Sequence, residues 1–236
     1  MNPAGSTKRL YLDIETVPGQ APHILDAIRR DIADEVAEIK APGNYNDPVK
    51  IAEFCAAERS KVEASFADRH HKCGLSGLRG EVLCASWAIN EGPVRTRRRM
   101  LGTDETFFLL SLFDAIFLDS GEFVTWIGHN VRDFDLRFLY QRAVILGVNP
   151  GMELPHDSRA GDIEVFDTMT KWAGWGNRVK LDDLCQALGI PGKEQDGMTG
   201  KDVYAYAQAG RYDEIATYCA HDVERVRQAH RRMTFA

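Results

Sequence analysis

The 236-residue chain has little of what marks secreted or membrane-bound proteins. Its five cysteines are an odd number and none stand in a CxxC spacing, which argues against a disulfide framework and for a reducing compartment. No apolar run approaches the roughly 20 residues that span a bilayer, and the opening MNPAGSTKRL has no apolar signal core. A cytoplasmic protein is expected. Surplus positive charge is also missing, since 29 Lys and Arg stand against 35 Asp and Glu and the formal net charge is −6. That balance argues against broad attraction to a polyanion, because phosphate contacts draw on surplus Lys and Arg. The clusters that do occur, RTRRR at Arg95–Arg99 and HRRM at His230–Met233, each read first as a solvated face. Repeats and low-complexity segments are absent, and 44% hydrophobic residues suffice for a sizeable core.

Strand and helix signals alternate along most of the chain. Arg9 to Val17 sets Leu10, Leu12 and Ile14 against Tyr11, Asp13 and Glu15, the period of two that marks a strand, and Pro18 and Gly19 stop it. Residues 20–80 are polar and partly helical, with ADRHHKCGLSGLRG reading as loop, and are taken as an insertion over the core. Two strand segments follow, EVLCASWAI (Glu81–Ile89) and VRTRRRML (Val94–Leu101), joined by a turn at Glu91, Gly92 and Pro93. DETFFLLSLFDAIFLDSG is apolar all round and predicts a largely buried helix; FVTWIGHN predicts a strand and DLRFLYQRAVILGV a helix. A loop over 150–165, expected to be mobile, leads to a short strand near Glu164 to Phe166, and the remainder is helical. The expected fold class is α/β, a mixed five-stranded sheet flanked by helices with a helical C-terminus, in a single domain over 1–236.

Two carboxylates interrupt the first strand. Side chains alternate across a strand, so Asp13 and Glu15 share a face, which by itself also suits the solvent-exposed end of a strand. Further on, IGHNVRDFDLRFL puts Asp135 between a strand's carboxyl end and a helix, where α/β proteins place their sites. TYCAHDVERV puts Tyr218 and Asp222 at i and i+4 on one helical face. Taken singly, Asp135 reads as an acid favoured in a helix's first turn, and Asp222 as a surface acid pairing with Arg225.

In this order along the chain the stretches resemble the motifs of the DEDD superfamily of 3′-to-5′ exonucleases, which share an RNase H-like fold. DIET looks like the first motif, HNVRDFDLRFL like the second, and YCAHD like the third in its Tyr-x-x-x-Asp form. The histidine form would carry its histidine at position 217, where this chain has Thr217. The similarity is greatest to stand-alone exonucleases related to the proofreading domain of family B DNA polymerases, and it covers residues 8–19 and 81–235. It implies two ions, Mg²⁺ or Mn²⁺, with Asp13 bridging both, Glu15 and Asp222 completing the first, and Asp135 acting at the second. It also implies that Tyr218 takes part in catalysis and that Thr16, His129, Asn130 and Phe134 hold the nucleic acid. Elementary electrostatics agrees with a cation requirement: like charges ~4 Å apart at an effective dielectric of ~20 repel by about 4 kcal/mol, and all-oxygen ligands favour Mg²⁺ or Mn²⁺.

The expected partner is the 3′ end of single-stranded nucleic acid, DNA favoured over RNA, with no membrane. Two alternatives stay open. One is an RNA-trimming enzyme resembling RNase D, although no room for a helical RNA-binding domain is expected after the core; the other is a catalytically silent RNase H-like binding module. HHKC (His70–Cys73) supplies three metal-ligating residue types without a suitably spaced fourth, so it reads as surface loop. Asp167, Asp182 and Asp183 read as helix-start residues.

Overall fold

The computed structural model describes residues 8–121, 123–159 and 163–236. It divides into two compact units, one formed by the chain up to Thr16 with Glu81–Ala236 and the other by Val17–Gly80.

In the first unit, among the described residues, five strands form one mixed sheet in the order β3-β2-β1-β4-β5. They are β1 (Lys8–Pro18), β2 (Gly80–Ile89), β3 (Arg95–Arg98), β4 (Val124–Gly128) and β5 (Val165–Asp167). β4 runs parallel to both β1, with Leu10 opposite Trp126, and β5, with Ile127 opposite Phe166, while β3 is antiparallel to β2. The alternation read from the sequence divides the core. Leu10, Leu12 and Ile14 join Trp87, Trp126 and the apolar residues of α4 (Glu105–Ser120) and α5 (Arg137–Leu146) on one face. Tyr11, Ala88 and Ile127 join Leu184 of α7 (Leu181–Leu188) and Val223, Val226 and Ala229 of α9 (Tyr212–Thr234) on the other. The short helices α6 (Thr168–Ala173) and α8 (Val203–Gln208) complete this unit.

Local signals start and stop these helices. Asp104 caps α4 by accepting from Thr106 N at 2.8 Å, and left-handed Gly147 and Gly189 end α5 and α7. A buried ion pair joins α4, α5 and β2: Arg142 Nη2 donates to Glu105 Oε2 at 2.6 Å, and Val82 N donates to Glu105 Oε1 at 2.8 Å. The arrangement is the one expected, with one correction inside it. α4 is not buried all round, since Phe107 is 72% and Leu118 82% exposed; the helix covers one sheet face, and its far side is apolar without being covered. Residues 150–159 are irregular, as expected of that loop, and 160–162 of it lie outside the described residues.

The second unit is helical: α1 (Pro22–Glu38), α2 (Pro48–Glu63) and α3 (Phe66–Cys73). Ile24, Ile28 and Ile32, four apart on α1, form an apolar cluster with Cys73. The loop expected over ADRHHKCG is instead α3. Its acid, Asp68, stands in the first turn and His70, His71 and Lys72 in the last, charges that favour a helix dipole, and Lys72 Nζ pairs with Asp68 at 2.7 Å. Among the described residues no helix is long and apolar enough to cross a membrane.

On the α9 face of the sheet His230 is buried beside Tyr11, its Nδ1 3.1 Å from the phenol oxygen, and edge-on to Phe166 at 4.6 Å. Burial, aided by Arg9, pushes its pKa down to about 4. The folded state therefore resists protonation of His230 where the unfolded chain accepts it. The stability this residue contributes is complete above the ordinary histidine value near ~6.5 and is lost as pH falls through about 4. Thermal melts between pH 7 and 4 should show His230→Gln losing less stability on acidification than the native protein; parallel curves would assign the acid sensitivity to other groups.

Candidate active site

The same alternation that buries Leu12 turns Asp13 and Glu15 towards α9. On α9 the buried stripe that meets Tyr11 and Ile127 through Val223 and Val226 continues one turn earlier as Tyr218, Cys219 and Asp222. Strand row and helix stripe thus change from apolar to polar at the same level. Asp13 and Glu15 oxygens and the Cys219 sulfur all lie within 4.8 Å of one another. Cys219 also donates to Asp13 O at 3.4 Å, and burial pushes its thiol well above the usual range, so it walls the site as a neutral group.

Asp135 arrives from the other side of the chain order. β4 ends at Gly128, where a Cβ would come within 2.4 Å of Val131 Cβ, so only glycine lets the following loop fold back this tightly. Asn130 takes a left-handed φ of 64°, and a π-helical turn follows over Arg132–Leu136, closed by Leu136 N to Val131 O at 2.8 Å. This wide turn directs Asp135 at β1, where its Oδ1 accepts from Ile14 N at 2.9 Å. Asp167 holds the loop in place: its carboxylate accepts from Asn130 N at 3.0 Å and Arg132 N at 3.4 Å while capping α6 through Met169 N and Thr170 N. It is a helix-start residue, as its position suggested, and an organiser of the loop as well.

The acids feel one another. Burial first and Asp222 second push Asp13 up to about 8. Burial, then Asp13 and Asp222, raise Glu15 well above the carboxylate range, and burial, then Asp13, do the same to Asp135. Asp222 is buried rather than a surface acid, although it does pair with Arg225, whose Nη1 donates to Oδ1 at 2.8 Å. Its other oxygen is bonded to Lys193 Nζ, which also donates to Tyr218 Oη at 2.7 Å. Burial works against the Lys193 ammonium, but Asp222 and Tyr218 outweigh it and raise its pKa. The Tyr218 phenol is likewise raised above its ordinary value, by burial, Asp222 and Glu15 in that order, so it stays protonated at neutral pH.

Lys193 was not legible as a site residue. It sits in the Pro-Gly turn after α7, and the turn's placement depends on contacts distant in sequence. Asp182 Oδ1 accepts from Lys193 N at 2.8 Å and lies 2.6 Å from where a Cβ of Gly192 would be, so a side chain at 192 would push that carboxylate away from Lys193 N. Arg225 clamps the same turn by donating to Gly192 O at 2.8 Å and pairing with Asp196 at 2.7 Å.

The residues fit a divalent cation. If all four acids are ionised, the charges of Lys193 and Arg225 leave a net −2, and Asp13 Oδ2 is buried without a hydrogen-bond partner. Among the described residues the metal-competent group is Asp13, Glu15 and Cys219. The HHKC segment forms no such group: His70 Nε2 is 3.0 Å from Gly19 O, and Cys73 Sγ donates to Arg69 O.

A family model described as "Predicted 3′-5′ exonuclease related to the exonuclease domain of PolB" matches residues 94–226, more than half of the chain. The chain belongs to this family. Among solved structures, the family B DNA polymerase from the hyperthermophilic archaeon Pyrobaculum calidifontis matches 98% of the chain with a TM-score of 0.59 and 14% identity, a likeness of fold. This chain spans 25% of the length of that polymerase chain. No curated protein matches it significantly. Within the exonuclease-family match lie Asp135, Lys193, Tyr218 and Asp222, while Asp13 and Glu15 precede it and join them through the sheet.

Of the residues expected to hold nucleic acid, Thr16 is half-buried at the end of the first unit. Asn130 Oδ1 is buried without a hydrogen-bond partner, and Phe134 is half-buried against Phe138 and the first core cluster. His129 has both ring nitrogens engaged, Nδ1 3.0 Å from Thr168 Oγ1 and Nε2 2.8 Å from Val179 O, and burial lowers its pKa, so it ties β4's end to the segment before α7.

Removing one charge from the acid group relieves repulsion, so Asp13→Asn in EDTA at pH 8 should melt higher than the native protein, by roughly 2–4 °C for each kcal/mol relieved. Millimolar Mn²⁺ should raise the native melting temperature by mass action and leave Asp13→Asn nearly unmoved. Equal Mn²⁺ shifts in both proteins would put the bound ion elsewhere.

Proposed function

We propose that the chain is a divalent-metal-dependent 3′-to-5′ exonuclease that removes nucleoside 5′-monophosphates from single-stranded nucleic acid, DNA in preference to RNA. One observation carries the reading: four acids from β1, the π-helical turn and α9 converge, with Tyr218 Oη and Lys193 Nζ beside them. Membership of the exonuclease family supports it.

Asp13, Glu15 and Asp222 would hold one Mg²⁺ or Mn²⁺ and Asp135 would share a second with Asp13. Bound there, the ions would supply electrophilic activation of the scissile phosphate and of the attacking water. The chain's own groups do the rest. Asn130 Oδ1, which is buried and unpartnered, accepts from the terminal nucleotide, and Phe134 offers part of its ring to the terminal base. Tyr218 Oη accepts from Lys193 and so keeps its own hydrogen for donation, orienting the water rather than deprotonating it. The water's hydroxyl joins phosphorus, the bond to the preceding 3′ oxygen breaks, and the second hydrogen ends on that oxygen as a new 3′-hydroxyl.

End-labelled DNA and RNA oligonucleotides, incubated with Mg²⁺, Mn²⁺ or EDTA, test the reading through their product ladders. A ladder shortening one nucleotide at a time from the 3′ end, abolished by EDTA, is expected, and no cleavage in any metal would overturn it. Asp222→Asn should be inactive while remaining folded. In single-turnover reactions Tyr218→Phe should be slower by about 10²-fold, within the range for a positioned proton-handling group; wild-type rates for Tyr218→Phe would remove its water-orienting role and leave the acid site standing.

A further inference from the structure

The basic run that stands out in the sequence is largely neutralised in the fold. Arg95 pairs with Asp119 at 2.8 Å, Arg98 with Asp213 at 2.6 Å, and Arg99 with Glu81 at 2.5 Å. Positive charge without a carboxylate partner gathers elsewhere, from the end of α6 to the start of α7, in the segment KWAGWGNRVK (Lys171–Lys180). Lys171, Arg178 and Lys180 are exposed, and among the described residues none has a carboxylate partner. Interleaved with them are two tryptophans in the open, Trp172 at 48% and Trp175 at 66% exposure. Beneath Trp175 lies Arg132, whose guanidinium carbon is 4.9 Å from the ring centroid. Arg132 is 4% exposed, donates through Nη1 to Ser158 O at 3.1 Å, and leaves Nε buried without a partner.

An arginine below an indole whose other face meets water is a stacking platform: the cation holds the ring, and the free face accepts another flat, electron-rich surface. Three exposed cations beside it, none with a carboxylate partner among the described residues and Lys171 lying over the Phe166 ring at 5.6 Å, suit a chain of phosphates. The platform is also fixed to the acid site. Arg132 stands three residues before Asp135 in the same π-helical turn, and His129 Nε2 meets Val179 O at 2.8 Å, joining the segment to the loop that carries Asn130. Asp167 fastens both sides, accepting from Arg132 N and from the first residues of α6.

We propose that Lys171–Lys180, with Arg132, is the track on which single-stranded nucleic acid lies upstream of the linkage to be cut, one base stacking on Trp175 and the phosphates following Lys171, Arg178 and Lys180. The proposal rests on the exonuclease reading and adds to it the surface that holds the strand. A duplex keeps its bases stacked on one another and gains nothing from an exposed indole, so the track selects unpaired strands.

Fluorescence anisotropy with a 5′-labelled dT12, measured on the full chain in EDTA so that nothing is cleaved, tests it. Trp175→Ala should weaken binding about tenfold, the value of one lost base–aromatic stack, and Trp175→Phe should restore most of it. Replacing Lys171, Arg178 and Lys180 together by Gln should flatten the salt dependence of binding by about 2 in log–log slope. Hydrolysis of the p-nitrophenyl ester of thymidine 5′-monophosphate, which has no upstream strand, should be unchanged in Trp175→Ala. Unaltered dT12 affinity in Trp175→Ala would overturn the track, as would an equal loss of affinity for a blunt duplex. If the native protein hydrolysed neither the ester nor an oligonucleotide, yet Trp175→Ala still lost dT12 binding, the exonuclease reading would fail while the track stood.

Discussion

Mutual repulsion among buried carboxylates is the constraint around which this fold is arranged. Oxygens of Asp13 and Glu15 lie within 4.8 Å of each other, a separation at which two full charges repel by about 3–4 kcal/mol at an effective dielectric of ~20. Asp222 and Asp135 add to the same field. A domain is held folded by only about 5–15 kcal/mol, so the group cannot stand as four bare charges. The chain answers with two cations on Asp222, Lys193 on one oxygen and Arg225 on the other, and with raised proton affinity at Asp13, Glu15 and Asp135. With all four acids ionised the two cations leave a net −2, so protons or divalent cations must supply the missing positive charge.

Holding charges this close requires rigid supports, and each acid has one. Asp13 and Glu15 belong to β1, between β2 and β4 in the sheet. Asp222 belongs to a 23-residue helix anchored on the sheet through Val223, Val226 and Ala229. Asp135 is fixed by its bond to Ile14 N, and the loop before it by the Asp167 carboxylate. On the opposite sheet face the buried Glu105–Arg142 pair ties α4, α5 and β2 together, with Val82 N completing the carboxylate's hydrogen bonding. A buried pair of this kind is costly if either partner is lost, which makes it a determinant of how α4 and α5 sit behind the site.

Legibility in the sequence followed the range of the interaction. Asp13 with Glu15 and Tyr218 with Asp222 are pairs set by strand and helix periodicity alone, so both could be read directly, and the order of the motifs supplied Asp135. Lys193, Cys219 and the loop-holding part of Asp167 could not be read in the same way. Their roles come from pairings 25 to 206 residues apart, such as Lys193 with Tyr218, Asp167 with Asn130, or Cys219 Sγ with Asp13 O. Arg225 was visible only as a partner for Asp222; its grip on the turn at Gly192 needs the tertiary fold. Two local misreadings have a different origin. The histidines of α3 and the glycines that follow it mask a charge order that favours a helix, and α4 reads as largely buried because hydrophobicity reports what a side chain prefers, not whether the fold has a second layer to cover it.

The helix also decides which residue beside Asp222 can serve the site. Successive residues on an α-helix are rotated by about 100°, so Thr217, before Tyr218, and His221, before Asp222, face elsewhere, while Cys219 shares the buried side with Tyr218. Thr217 is exposed and donates back to Asp213 O at 2.9 Å, and His221 is exposed and lies 2.6 Å from Asp196 Oδ1. A titratable imidazole at either position would face solvent while α9 keeps its regular turn. Tyr218, by contrast, is 3% exposed and accepts from Lys193. With its phenol raised above the ordinary value, it enters the site as a neutral donor whose state does not change across physiological pH. The work of managing protons then falls on the crowded carboxylates, where mutual repulsion already makes proton binding and cation binding compete for the same oxygens.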